Sequence, residues 1–191
     1  LHAPTAQTHT YDAAHQIRTT GHGYDARGRQ TAAPGHSFQW DGASRLRQID
    51  SVTLAYDGAD NLQTRTAGGV TIRYFYHHAI GLAPILAERN ETAGQMQRYY
   101  IWTPGGRLLY AIDPANANAV SHYHFDQVGS TLALTAANGS VTDAYAYTPY
   151  GVLLGHTGPS TQPFTYVGAY GVRSETSAAI LQARARYIDP V

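Results

Sequence analysis

The chain has 191 residues, no formal net charge and no cysteine, which excludes disulfides, thiolate metal sites and a Cys nucleophile and leaves no basic footprint for nucleic acid. Charged residues make up only 14%, against roughly 25% in ordinary soluble domains, while nineteen Gly and nine Pro point to many turns and no long helices. No run approaches the ~18 apolar residues of a membrane span, and no window forms a polybasic tail.

In the first third, an aromatic–Asp pair recurs at Tyr11-Asp12, Tyr24-Asp25, Trp40-Asp41 and Tyr56-Asp57, with steps of 13, 16 and 16 residues. The last three pairs open fuller units, such as Trp40-Asp41-Gly42-Ala43-Ser44-Arg45-Leu46 and Tyr56-Asp57-Gly58-Ala59-Asp60-Asn61-Leu62. In each unit the aromatic closes a strand by burying its ring. The Asp accepts hydrogen bonds from backbone N–H groups just ahead and closes an Asx-type turn. A following strand then runs back, as in Leu46 to Ile49 or Leu62 to Thr66. Fifteen Tyr against four Phe fit this scheme, because Tyr packs its ring at a sheet margin and keeps a polar tip. Hairpins of this kind stack into one continuous sheet.

Further along, Val70 to Tyr76, Gln97 to Thr103 and Arg107 to Ile112 read as strands, with Pro104-Gly105-Gly106 and Asp113-Pro114 as stops. Tyr123-His124-Phe125-Asp126-Gln127-Val128-Gly129-Ser130-Thr131 leads into a strand over 132–135. Asn138-Gly139 then marks a tight hairpin, and Val141 to Tyr147 returns. Thr148-Pro149-Tyr150-Gly151 makes another turn. Ser177 to Arg186 has helix propensity but alternates as a strand does, and the strand is the reading that continues its surroundings. Leu1 in place of Met, and the stop after Asp189-Pro190-Val191, give both ends the look of cuts from something longer.

Three blocks resemble the core region of Rhs/YD-repeat proteins, the Rhs-repeat-associated core. They are Tyr123 to Thr131 with Asn138-Gly139, Tyr145-Ala146-Tyr147-Thr148-Pro149-Tyr150-Gly151, and Phe164-Thr165-Tyr166-Val167-Gly168 through Arg184-Ala185-Arg186-Tyr187-Ile188-Asp189-Pro190. The Tyr-Asp units are similar to the YD repeats that precede that core. The resemblance implies an all-β fold: a spiral sheet of YD hairpins over 1–120 forming part of a hollow shell, and a core over 121–191 that curls inward as a plug. It implies a structural role, the shell of a bacterial polymorphic toxin or Tc-type toxin enclosing a C-terminal toxin cargo, secreted or at the cell surface and delivered by a secretion system. The partners implied are adjoining YD-repeat segments and the cargo, with no cofactor. The alternatives are a teneurin-like module that binds a cell-surface protein or glycan, and the truncated form or product of an intramolecular aspartyl autoprotease. Asp189-Pro190 matches the first Asp-Pro of the family's self-cleavage motif; the Gly and second Asp-Pro of that motif do not follow. One aspartate cannot supply a paired-carboxylate mechanism, so no turnover is expected of the chain as it stands. Gly171 to Ser177 departs from the more aromatic stretch usual there.

Other candidate sites have simpler readings. His122 and His124 share a strand face and His77-His78 are adjacent, but no Cys or nearby Glu completes a metal set. Asp12, Asp25, Asp41, Asp57 and Asp126 could form a calcium ladder, yet each stands alone at a turn position, which turn closure explains. Trp40 and Trp102 are the best candidates for stacking on sugar rings, against packing in the sheet. Ser37 and Ser44 have no Gly-x-Ser-x-Gly elbow to support a hydrolase triad.

Overall fold

In a computed structural model, which describes residues 8–175, 180–184 and 186–190, the chain is all-β. Fourteen strands follow one another: β1 (Gly23–Tyr24), β2 (Gln30–Ala33), β3 (His36–Trp40), β4 (Leu46–Ile49), β5 (Val52–Tyr56), β6 (Leu62–Ala67), β7 (Val70–Tyr76), β8 (Ile85–Asn90), β9 (Gln95–Trp102), β10 (Leu108–Asp113), β11 (Ala119–Phe125), β12 (Thr131–Ala136), β13 (Val141–Tyr147) and β14 (Leu153–Thr157). Each pairs antiparallel with its neighbours in sequence, so spatial order equals chain order in a single sheet. The sheet runs without a break through residue 120, which lies inside β11.

Local chemistry sets this order, because each connection is a hairpin. At one edge the early connections are two residues long: Pro34-Gly35, Asp50-Ser51 and Gly68-Gly69. Gly68 and Gly69 have φ of 56° and 78°, the left-handed pair that a tight hairpin needs to match strand twist. At the other edge the chain reverses immediately after an aromatic residue.

One face of the sheet is buried. Val52 and Leu54, Ile72 and Tyr74, and Tyr100 and Trp102 point to it with the period of two that strands impose. What covers this face comes from the C-terminal segment. After β14 the chain packs back onto the sheet, and Phe164 inserts edge-on against Tyr100 and Trp102 at ring distances of 4.8 and 5.5 Å. Thr131 anchors it twice, through its N–H to the Thr165 carbonyl at 2.9 Å and its hydroxyl to the Phe164 carbonyl at 2.7 Å. A single 3-10 turn over Gly168–Tyr170 follows, and the Ala169 N–H donates to the Gly129 carbonyl.

The chain ends in a small second sheet of β15 (Arg173–Glu175), β16 (Ile180–Ala183) and β17 (Arg186–Ile188). The alternation expected over 177–186 is therefore that of strands, but not of one strand. Arg184 takes φ 58° and the chain reverses, pairing Ala183 with Arg186. Residues 176–179 and 185 lie outside the described residues.

Polar contacts tie the small sheet to the large one. Arg65 on β6 donates through Nε and Nη2 to both carboxylate oxygens of Glu175, which is 1% exposed. Arg173 lies over the Tyr74 ring at 4.9 Å, donates to the Tyr74 hydroxyl at 2.8 Å and grips the Gln182 side-chain oxygen with Nε and Nη2. Tyr56 and Tyr187 share a hydroxyl–hydroxyl bond of 2.8 Å. A buried ion pair is costly to break from one side, because the other charge stays buried. Arg65→Met is expected to lower stability by about 3–5 kcal/mol in urea unfolding, and Arg65→Met/Glu175→Leu to recover most of that loss. A double variant as unstable as the single one would mean that the Arg65–Glu175 pair itself, and not the loss of one of its two partners, holds the sheets together.

Candidate functional site

The aromatic–Asp turns form one repeated structure along one edge of the sheet. In each, the Asp Oδ1 accepts the N–H of the second and fourth residues ahead. Asp25 takes Arg27 and Arg29, Asp41 takes Ala43 and Arg45, and Asp57 takes Ala59 and Asn61, all at 2.9–3.0 Å. Asp126 does the same with Val128 and Ser130, and Asp12 with Ala14 and Gln16. The main chain repeats as well: each Asp N–H donates to the carbonyl four residues on, as Asp41 does to Arg45 at 2.9 Å. The turn thus satisfies its own strand-end amides.

The aromatic in front of each Asp sits at a register shift and faces the residue six ahead: Tyr24 with Gln30, Trp40 with Leu46, Tyr56 with Leu62 and Phe125 with Thr131. Tyr11 makes an isolated bridge to Ile17 at the same offset. At Trp40 and Tyr56 the polar tip then reaches back one unit. Trp40 Nε1 donates to the Gln30 carbonyl at 2.7 Å, and the Tyr56 hydroxyl donates to the Leu46 carbonyl at 2.8 Å. The acceptor in each case is the residue opposite the preceding aromatic. Tyr24 keeps the geometry with reversed polarity, its hydroxyl accepting from the Ile17 N–H.

Three further turns of this row were not legible as aromatic–Asp pairs. Trp102-Thr103 and Tyr147-Thr148 put Thr in the Asp position, and its hydroxyl accepts only the N–H four ahead, from Arg107 and Val152. Their aromatics face Leu108 and Leu153 at the same offset of six, and donate to the carbonyls of Ile85 and Thr131. Tyr76 opens a longer loop closed by His77, faces Ile85, and donates to the Leu62 carbonyl at 2.7 Å. A sequence signal for Trp102-Thr103 existed: the Arg four residues past the turn position recurs at Arg29, Arg45 and Arg107. These guanidinium groups lie over the next aromatics, Trp40, Tyr56 and Phe125, at 5.4–5.8 Å. Arg29 also donates to the Asp41 carbonyl at 2.8 Å, joining one turn to the next.

The carboxylates of Asp25, Asp41 and Asp57 are held acidic. The Arg29 guanidinium bond lowers Asp25, and the backbone N–H of Arg45, then its guanidinium, lowers Asp41. At Asp57 partial burial pushes upward, and the side chain and N–H of Asn61 outweigh it. A carboxylate lowered on folding stabilises the fold above its unfolded value near 3.9, and that contribution disappears as pH falls through the lower folded value.

The remaining candidates fall elsewhere. Trp102 is 8% exposed and its ring is covered by Phe164, so a sugar would have to displace Phe164 to stack there. Trp40 and Asp189 line one cavity of about 260 Å³ with Arg29 and Tyr187. His124 bonds the Thr135 hydroxyl, and His122 lies beside Tyr110. No three His, Asp or Glu groups converge as a metal set among the described residues.

Asp57→Ala removes the acceptor of two backbone N–H groups and is expected to cost about 1–3 kcal/mol in urea unfolding. Asp57→Asn keeps a side-chain oxygen there and is expected to lose less than half as much. Equal losses would mean that charge, and not the acceptor geometry, closes the turn.

Comparison with known proteins follows the same lines. The family model described as Teneurin YD-shell matches residues 3–182. Comparison with curated proteins returns no match. The chain resembles the crystal structure of TcdB2-TccC3-Cdc42 with a TM-score of 0.62 at 16% identity, over 87% of this chain and 9% of that one. A Photorhabdus luminescens Tc holotoxin pore with a mutated TccC3 gives 0.64 at 15% identity, over 87% and 9%. TcdB2-TccC3 without its hypervariable C-terminal region gives 0.61 at 14%, over 96% and 11%. The likeness to these structures is one of fold, and the chain spans about a tenth of their length. With its row of aromatic–Asp turns matched by the family model over nearly all its residues, the chain belongs to the Teneurin YD-shell family.

Proposed function

We propose that this chain is a wall segment of a hollow YD shell that encloses a C-terminal effector polypeptide, in a secreted or cell-surface bacterial toxin. The observation that carries the reading is the uninterrupted sheet, in which fourteen strands lie in chain order. Its repeated turns serve to extend a surface. The edge strands β1 and β14 each pair on one side only within the sheet, which suits continuation into adjoining YD segments. The Tc toxin structures of similar fold support the reading by analogy of architecture. The C-terminal segment, folded back over the sheet, takes the part of the plug in this scheme.

Self-cleavage of a longer precursor is the finer part of the proposal. Asp189 lines the cavity with Arg29 and Tyr187 among largely apolar side chains, a setting for one carboxylate of a pair whose second member would come from downstream sequence.

The test uses a chain that carries this segment within its whole shell together with the downstream sequence. The downstream polypeptide is expected to resist a protease dose that digests it when expressed alone, and a denaturing gel also reads its release. Asp189→Asn is expected to leave the precursor uncut while protection persists, because the amide cannot take part in general acid–base chemistry. Digestion of the downstream polypeptide at its free rate would overturn enclosure; full processing of the Asn variant would remove Asp189 from the cut.

A further inference from the structure

In each aromatic–Asp and aromatic–Thr turn, the third residue after the Asp or Thr lies in the left-handed region and donates its N–H to that residue's carbonyl. The position holds His15, Gly28, Ser44, Asp60, Gly106, Gly129 and Gly151. Because His15, Ser44 and Asp60 occupy it with side chains, the turn itself does not demand glycine. At Ser44 and Asp60 the side chain accepts from Arg29 and Arg45 of the preceding turn. At Gly129 and Gly151 the space is taken from outside the sheet. A Cβ on Gly129 would stand 2.6 Å from the Tyr170 ring and 3.1 Å from the Ala169 Cβ. One on Gly151 would stand 2.7 Å from the Tyr166 ring, which is held in place by its hydroxyl bond to the Pro149 carbonyl. Gly106 gives the contrast: a Cβ there would meet only Ile80, at an ordinary 3.6 Å.

Both tyrosines belong to the loop by which the C-terminal segment returns over the sheet. The small sheet shares no ladder with the large one. Among the described residues, the main-chain bonds from 163–190 to the large sheet and its turns fall on one turn, at Gly129 and Thr131. The Val167 N–H adds a bond to the Ser130 hydroxyl between them, at 3.1 Å. Val167 itself, between the two rings, has φ 52° and ψ 24°, an outlying backbone for a β-branched residue. Such a conformation persists only where its surroundings over-determine it. A ring on either side and the Ser130 bond do so here. We propose that Gly129 and Gly151 are the two seats of a latch. Tyr170 and Tyr166 fill the space that side chains would occupy there and fix the C-terminal segment over the sheet, which in the whole shell keeps that end closed. The seats stand on this geometry alone; the closing role rests on the shell reading above.

Amide hydrogen exchange on the full chain reads the latch at Thr131 and Ala169, whose N–H groups bond between sheet and segment. Gly129→Ser and Gly151→Ser are each expected to speed these two amides at least about tenfold, while Leu54 and Ile72 inside the strands stay protected. Gly106→Ser puts the same side chain on the same backbone with room above it, and is expected to change them less than about threefold. In a Tyr166→Ala background the ring is already gone, so Gly151→Ser is expected to add no more than Gly106→Ser does. The seats are overturned if Gly129→Ser and Gly151→Ser exchange as Gly106→Ser does, or if Gly151→Ser keeps its full effect without the Tyr166 ring. Should the serine variants not fold, Tyr166→Ala and Tyr170→Ala decide, and unchanged exchange at Thr131 and Ala169 overturns the seats. In the whole shell with its downstream sequence, Gly151→Ser is expected to admit a protease that the parent excludes. Exclusion by both overturns the closing role. Admission by the parent overturns enclosure and the closing role with it, while the exchange result on the seats stands.

Discussion

A strand that ends at a sheet edge must dispose of its last amides, and here one carboxylate oxygen does so repeatedly. The Oδ1 of Asp25, Asp41, Asp57 and Asp126 takes the N–H groups two and four residues ahead, which bends the chain through a reversal of fixed size. Fixed size means fixed register: the aromatic before the Asp always faces the residue six ahead. Because a slip of one residue would turn every buried side chain outward, this closure underlies the burial of Leu46, Leu54, Leu62 and Leu134 on a single face. Bonds from Trp40 and Tyr56 to the preceding unit then couple neighbouring turns, and Arg29 reaches on from its own turn to the next.

The same construction explains why Tyr and Trp, more than Phe, precede these turns. Phe would bury an equal ring but could not donate to the carbonyl one unit back, and Phe125 has no such bond. Trp at 40 and 102 keeps the donor through its indole N–H. The opposite edge carries no such rule, and its connections lengthen from two residues at Pro34-Gly35 to five between β10 and β11.

Much of this architecture was legible in the residues because it is local. The pairs at Tyr24, Trp40, Tyr56 and Phe125 announce their turns, and the period of two marks the strands between them. Thr103 and Thr148 hid because a hydroxyl accepts one of the two N–H groups that a carboxylate accepts, and no Asp marked the place. The partners of Arg173 and Glu175 could not be read at all. Both residues lie in the stretch after Gly171, where buried charge meets Arg65 and Tyr74 about a hundred residues earlier in the chain. The reversal at Arg184 escaped for another reason, since a non-glycine residue in the left-handed region gives no signal in an alternating run.

Amide hydrogen exchange tests the central role of the turn carboxylate most directly. The N–H groups of Arg29, Arg45, Asn61 and Ser130 lie at the very edge of the sheet, yet each is bonded to an Asp Oδ1. If these carboxylates set the register of the sheet, the four amides exchange as slowly as those of Leu54 and Ile72 inside the strands, and only through unfolding that opens both together. Exchange at the rate of an open hairpin amide such as Gly69, with the strand interiors still protected, would show that the sheet holds its register without the turns.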